Sequence, residues 1–74
     1  MILGKLYRNN IWIYARDITN SKQILLPKNA ILLCLRSYRA FDKKGTGSHS
    51  FLYESKVVKV FLINSDIDRL FGQI

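Results

Sequence analysis

The chain has one cysteine, one histidine, one proline and only five acidic side chains in 74 residues. Each scarcity excludes something. A lone cysteine cannot form an intramolecular disulfide. Cys34 and His49 together cannot supply the four ligands of a structural zinc site. Five carboxylates are too few for the oxygen cage that a hard cation needs. Nucleophilic catalysis needs a base held by a third group. Ser48-His49-Ser50 offers hydroxyls beside an imidazole, but neighbours on an extended segment point in opposite directions, and no carboxylate is placed to orient His49. The sequence therefore assigns no catalytic residue, no metal ligand and no cofactor, and it points to a protein that is not an enzyme. The segment KKGTGSH has its lysines before its glycines, so it lacks the nucleotide-binding order G-x-x-x-x-G-K-[ST]. A plain hairpin tip explains it better than a phosphate-binding backbone nest.

Long apolar runs are also missing. No stretch is long enough to span a bilayer. The first ten residues, MILGKLYRNN, lack the basic-then-apolar order of a signal peptide. An unpaired cysteine fits a reducing compartment, so a cytoplasmic location is expected. Cys34, inside ILLCLR, is read as a core residue rather than a reactive thiol.

What the chain does have is apolar content and positive charge. Hydrophobic residues make up 49% of it, and the net charge is +7. A chain this short buries only about 60% of its unfolded surface. It needs a dense core or a partner copy. The charge is uneven. Residues 1–60 hold eleven of the twelve basic residues against Asp17, Asp42 and Glu54, whereas residues 61–74 hold Arg69 against Asp66 and Asp68. Such a balance suits an anionic partner, either nucleic acid or an acidic protein surface. It also keeps a small apolar protein soluble.

Residues 2–16 have the pattern of a β-hairpin turning at Asn9-Asn10, because Asn tolerates the backbone of tight hairpin turns. A two-residue turn there pairs Tyr7 with Trp12 and Leu6 with Ile13. One face then holds Ile2, Leu6, Ile11 and Ile13 as core. The other holds Tyr7, Trp12 and Tyr14 beside Lys5 and Arg16, and is either covered by another part of a barrel or by a partner chain, or is a stacking platform for single-stranded bases. Residues 17–23 form a polar loop whose Asp, Asn and Ser bond nearby backbone. Pro27-Lys28-Asn29 is a turn between a short strand at 23–26 and a long strand from about Ala30.

Residues 31–63 carry most of the fold and most of the functional signal. Ile31 to Leu35 are apolar on both faces and suit a core strand. Residues 36–53 read as a projecting hairpin arm with its tip at DKKGTGSH, where Gly45 and Gly47 permit unusual backbone. Pairing Phe41 with Phe51 puts Arg39, Tyr53 and both Phe on one face of the arm, and Arg36, Tyr38 and Leu52 on the other. Glu54-Ser55-Lys56 is a turn or a bulge. Residues 57–63 then place Val58, Val60 and Leu62 on one face, and Val57, Lys59, Phe61 and Ile63 on the opposite one. A strand so apolar is central, or it is a homo-oligomer interface, since an exposed edge of this kind aggregates. Ser65 with Asp68 resembles a capping box for a short helix. Ile67, Leu70 and Phe71 form its apolar face, and Gly72 ends it.

The expected architecture is all-β: a single domain, residues 1–74, with a small barrel or bent sheet of five or six antiparallel strands and a C-terminal helical turn. In strand count and in that late turn it resembles the layout of the Src-homology-3-like small barrels. The expected function is non-enzymatic binding of nucleic acid or a nucleoprotein complex. Arg36, Arg39, Lys43 and Lys44 would meet phosphates, and Tyr38, His49 and Tyr53 would lie among them. Tyr7, Trp12 and Tyr14 would add stacking. The alternative is a protein-interaction module, an accessory subunit or inhibitor of the phage or mobile-element kind, docking on an acidic surface or adding a strand to a sheet.

Overall fold

In a computed structural model that describes residues 1–41 and 44–74, seven strands form one antiparallel sheet. They are β1 (Leu6–Asn9), β2 (Ile13–Asp17), β3 (Lys22–Leu26), β4 (Ile31–Tyr38), β5 (Thr46–Tyr53), β6 (Lys56–Ile63) and β7 (Phe71–Gln73). A helix, α1 (Asn64–Leu70), links β6 to β7. The hydrogen-bonded order is β3-β2-β6-β5-β4-β1-β7. The all-β class holds, but the two ends of this order are not paired with each other, so the sheet is not closed into a barrel.

The sheet is nevertheless strongly curled. Six strand spacings would separate β3 from β7 by about 29 Å in a flat sheet. Yet Leu26 of β3, Ala15 of β2 and Phe71 of β7 belong to one core cluster with Leu32, Cys34, Phe51, Val58, Val60 and Ile67. Phe51 of this cluster is fully buried, with its ring 5.4 Å from that of Phe71. Each fully buried Leu, Val or Phe here contributes about 1.5–3 kcal/mol. The turn after β3 ties the curl to β1: Asn29 N–H donates to the Asn9 carbonyl at 2.9 Å, and Asn9 Nδ2 donates to the Pro27 carbonyl at 3.3 Å.

The turns follow local chemistry. Asp17 Oδ1 accepts from the Thr19 N–H and Asn20 Oδ1 from the Lys22 N–H, which shapes the β2–β3 connection. Pro27-Lys28-Asn29 separates β3 from β4 as expected, with Asn29 at φ 71°. Glu54 and Ser55 form the two-residue β5–β6 turn, both at positive φ, and Tyr53 pairs with Lys56. Two positive φ values match the turn whose twist suits paired strands.

Several expectations are corrected. Residues 2–16 do not form a hairpin: β1 pairs with β4 and β7, and β2 with β3 and β6. The Asn pair docks on other segments instead of turning on itself. Asn9 is buried, and the Asn10 N–H donates to the Leu70 carbonyl while its Nδ2 donates to that of Arg69. In β1 the core face is also inverted, while in β2 Ile13 packs against the core, as expected, and Tyr14 is exposed. Tyr7 is buried and its hydroxyl accepts from the Ile2 N–H at 2.7 Å, whereas Leu6 and Ile11 are exposed.

Residues 36–53 are not a projecting arm. β5 is paired with β6 from Thr46 to Tyr53 and with β4 on its other side. Phe51 pairs with Cys34 rather than with Phe41. In β4, Leu32 and Cys34 are buried but Ile31 and Leu35 are exposed. Finally, α1 starts at Asn64 with no side-chain cap bond, so the Ser65–Asp68 box does not form, and Gly72 lies within β7. Ile67, Leu70 and Phe71 do bury their apolar face. β6 is central, flanked by β2 and β5. Among the described residues no helix is long and apolar enough to cross a membrane.

Candidate binding face

Alternation along the strands gives the sheet two unlike surfaces. The inner face carries the core. The outer face of β3, β2, β6, β5 and β4 is ordered in rows by the pairing register. Arg16 pairs with Gln23 and Lys59, Lys59 with Ser50, and Ser50 with Arg36. This places Gln23, Arg16, Lys59, Ser50 and Arg36 in one row across five strands. Two residues further along each strand lies a second row. There Tyr14 pairs with Leu25, Phe61 with Ser48, and Ser48 with Tyr38. On the opposite side of the basic row, Val57, Leu52, Leu33 and Leu6 form an aliphatic row.

Tyr14, Phe61 and Tyr38 are 65%, 58% and 64% exposed, so most of each ring faces solvent. The β2–β6 ladder reaches only to Arg16 and Lys59, and beyond it the two strands splay. The gap is a groove of about 270 Å³ lined by Tyr14, Arg16, Lys59 and Phe61. A second groove, of about 350 Å³, lies on the other side of Lys59 between Ile18, Leu35, Arg36 and Val57.

A bulge creates half of this face. Cys34 pairs with Phe51 and Arg36 with Ser50, so Leu35 is an extra residue in β4. One inserted residue reverses the alternation beyond it. Cys34 points inward, and without the bulge Arg36 and Tyr38 would follow it into the core. With the bulge they face outward, and Ser37 turns inward to His49.

Among the described residues no carboxylate pairs with the cations of these rows. Asp17 is buried, Glu54 sits at the β5–β6 turn, and Asp66 and Asp68 lie on α1. There they pair with Arg69 at 2.8 Å and Arg39 at 3.2 Å. Among the described residues no acidic side chain lies within salt-bridge distance of Arg16, Lys59 or Arg36.

The residues singled out from the sequence are scattered by the fold. Arg36, Tyr38 and Tyr14 come together on the outer face. Arg39 instead clasps α1, donating to Asp68 and to the Asn64 carbonyl. Lys44 is exposed in the β4–β5 connection, and Lys43 lies outside the described residues. Trp12 is exposed in the β1–β2 connection, off the rows. Three residues are corrected. Tyr7 is a core residue, because the pleat of β1 turns it inward. Tyr53 is half-buried and packs against the core cluster. His49 is fully buried rather than at a tip, because β5 starts at Thr46 and its pleat turns His49 inward.

His49 Nδ1 shares a hydrogen bond with Ser37 Oγ at 2.8 Å, and Nε2 has no hydrogen-bond partner among the described residues. Burial pushes its pKa down to about 4, assisted by the N-terminal ammonium and Arg39. The ring is neutral at pH 7 and shut away from solvent. Burial likewise pushes the Cys34 thiol up, which keeps it protonated. Among the described residues no three His, Cys, Asp or Glu side chains group as a metal set.

The sequence reading missed Phe61 and gave Arg16 and Lys59 only flanking places. The signal was present in KVVKVFLI. A lysine and a phenylalanine alternate there with Val58 and Val60, so the face opposite the core is polar and aromatic. Compared with protein-family models, with curated proteins and with solved structures, the chain matches none.

Proposed function

We propose that the chain is a non-enzymatic module that binds nucleic acid on the outer face of its sheet. The observation that carries this reading is the row Arg16, Lys59 and Arg36, with no carboxylate within salt-bridge distance among the described residues, beside the exposed rings of Tyr14, Phe61 and Tyr38. Cationic side chains in a line suit a phosphate backbone, and flat rings suit bases. The proposal includes a cytoplasmic location, since an unpaired buried cysteine fits a reducing compartment. The Src-homology-3-like layout belongs to the same proposal.

Three phosphate contacts give a slope of about −2 in log affinity against log salt for a single strand. Between 50 and 200 mM salt the affinity should then fall about 20-fold. The test is binding of a labelled oligonucleotide across that range. Replacing Arg16, Lys59 and Arg36 together by Gln should flatten the slope. No binding at about 50 mM salt, where phosphate contacts are strongest, would refute the reading.

A second reading rests on the aliphatic row. Leu6 and Leu52 are exposed and continuous with Val57 and Leu33, which suits an apolar protein partner. Self-association through residues 57–63 would use this outer face or the edge of β6 beyond Lys59, where its pairing with β2 stops. Sedimentation of the wild-type chain and of Leu52→Lys tests both.

A further inference from the structure

We infer that the outer face takes a single strand rather than a duplex, with bases on the Tyr14–Phe61–Tyr38 row and phosphates on the Arg16–Lys59–Arg36 row. The inference rests on the nucleic-acid reading above and narrows it.

The first observation is the loss of the arm. A free two-stranded ribbon could enter the major groove of a duplex. Here the β4–β5 pair is embedded, with β6 bonded along the whole of β5 and β1 bonded to β4. That ribbon is not free to insert, and a sheet face is too broad for a groove about 12 Å wide. A duplex could meet only the cations, through its phosphates. It would leave three exposed rings without a role, because its bases are stacked inside.

The second observation is the spacing. The basic and aromatic rows are two residues apart along every strand, about 6.6 Å. A nucleotide places its base and its phosphate on opposite sides of its sugar, so one unit can span the two rows. Within the aromatic row, Phe61 and Tyr38 flank Ser48 on the strand between them. That leaves about 9.6 Å from Phe61 to Tyr38, measured between strands, over a small side chain. A base has room there against either ring. Tyr14 lies across the groove from Phe61, so the row covers four strands, which limits the footprint to a few nucleotides. The hydroxyl of Ser48, within the aromatic row, can bond base edges or phosphates in either sense.

The third observation is the groove between β2 and β6, which has a ring on each wall and a cation on each wall: Tyr14 and Arg16 face Phe61 and Lys59. Stacking and charge are matched in a single opening. Neither row discriminates ribose from deoxyribose, since ring faces and phosphates are common to both.

The experiment is fluorescence anisotropy with labelled six-nucleotide oligo-dT and oligo-U, and with a 12-base-pair duplex, at fixed salt. The proteins are the wild-type chain and its Phe61→Ser, Tyr14→Ser, Tyr14→Phe and Tyr38→Phe variants, each checked for folding by circular dichroism. The replaced rings are more than half exposed, so the fold should survive. Both single strands should bind at least tenfold more tightly than the duplex. Phe61→Ser and Tyr14→Ser should each weaken single-strand binding about tenfold and leave the duplex unchanged. The two Tyr→Phe variants should retain affinity. A gap between oligo-U and oligo-dT, which differ in the sugar and in the thymine methyl, would still support the inference. Duplex affinity equal to that of the single strands, with serine variants indistinguishable from wild type, would overturn it while the nucleic-acid reading stands. Absence of binding to all three probes would overturn both.

Discussion

Lowering the pH from 7 to 5 should destabilise the fold by roughly 2 kcal/mol through one side chain, His49. Its folded pKa lies at about 4, against an ordinary 6.5. The first cause is burial, and the N-terminal ammonium and Arg39 add to it. Below pH 6.5 the unfolded chain takes up a proton that the folded chain refuses, so stability falls as the pH falls. The loss begins near 6.5, continues down to about 4, and totals about 3 kcal/mol. At pH 5 roughly two-thirds of it is already spent, while ordinary carboxylates remain ionised. His49 is the sole histidine, so no second imidazole confuses the window. Urea unfolding at pH 7, 6 and 5 and constant ionic strength reads the effect as a fall in midpoint of roughly 1–2 M, for a slope of 1–2 kcal/mol/M. His49→Gln should lower stability at pH 7 and abolish the pH dependence. A flat midpoint from pH 7 to 5 in the wild type, or an unchanged slope in His49→Gln, would refute the reasoning.

Gly47→Ala should cost about 1–3 kcal/mol by thermal melting. Its Cβ would come within 2.5 Å of the Tyr38 carbonyl oxygen and 2.9 Å of His49 Nε2, and backbone cannot step aside. Replacing Glu54-Ser55 by Asn-Gly should raise stability by about 1 kcal/mol, because both residues sit at positive φ in a two-residue hairpin turn. Asn64→Ala should cost about 1–2 kcal/mol and speed hydrogen exchange at Ala40. It removes the pair of bonds in which Asn64 Oδ1 accepts from the Ala40 N–H and Nδ2 donates to the Ala40 carbonyl. Asp68→Ala should cost under about 1 kcal/mol, since its bond to Arg39 is an exposed ion pair.

Local chemistry was legible in the sequence, and long-range pairing was not. The turns at Pro27-Lys28-Asn29 and Glu54-Ser55, the core face of Val58 and Val60, and the apolar face of the terminal helix all depend on a few adjacent residues. Each could be read from spacing and turn chemistry. The partner of β1 could not. Asn9-Asn10 is compatible with a hairpin, and only the bonds from Asn9 to Ala30 and Asn29 and from Asn10 to Leu70 show why the chain passes straight on. Tyr7 was misplaced for the same reason. Its face is set by pairing with Leu32 and Gln73, far away in sequence, and not by the aromatic pattern of its neighbours. The register of β4 on β5 escaped too, because the glycines at 45 and 47 suggest a longer tip than the fold uses.

The candidate face shows how little separates a core strand from a binding strand here. Val58, Val60, His49 and Phe51 hold the fold, and Lys59, Phe61, Ser48 and Ser50 are their immediate neighbours on the other side of the same backbone. Which member of each couple faces solvent depends on register alone. Leu35 makes the dependence concrete. It contributes a half-exposed leucine and one extra step, and that step moves Arg36 and Tyr38 from the buried side of β4 to the exposed side. A charged Arg36 buried without a partner would cost far more than the fold could tolerate. The bulge is therefore required by the same residues that make the face basic and aromatic. Substitutions at alternate positions of β5 and β6 should accordingly divide cleanly, inward ones lowering stability and outward ones lowering binding.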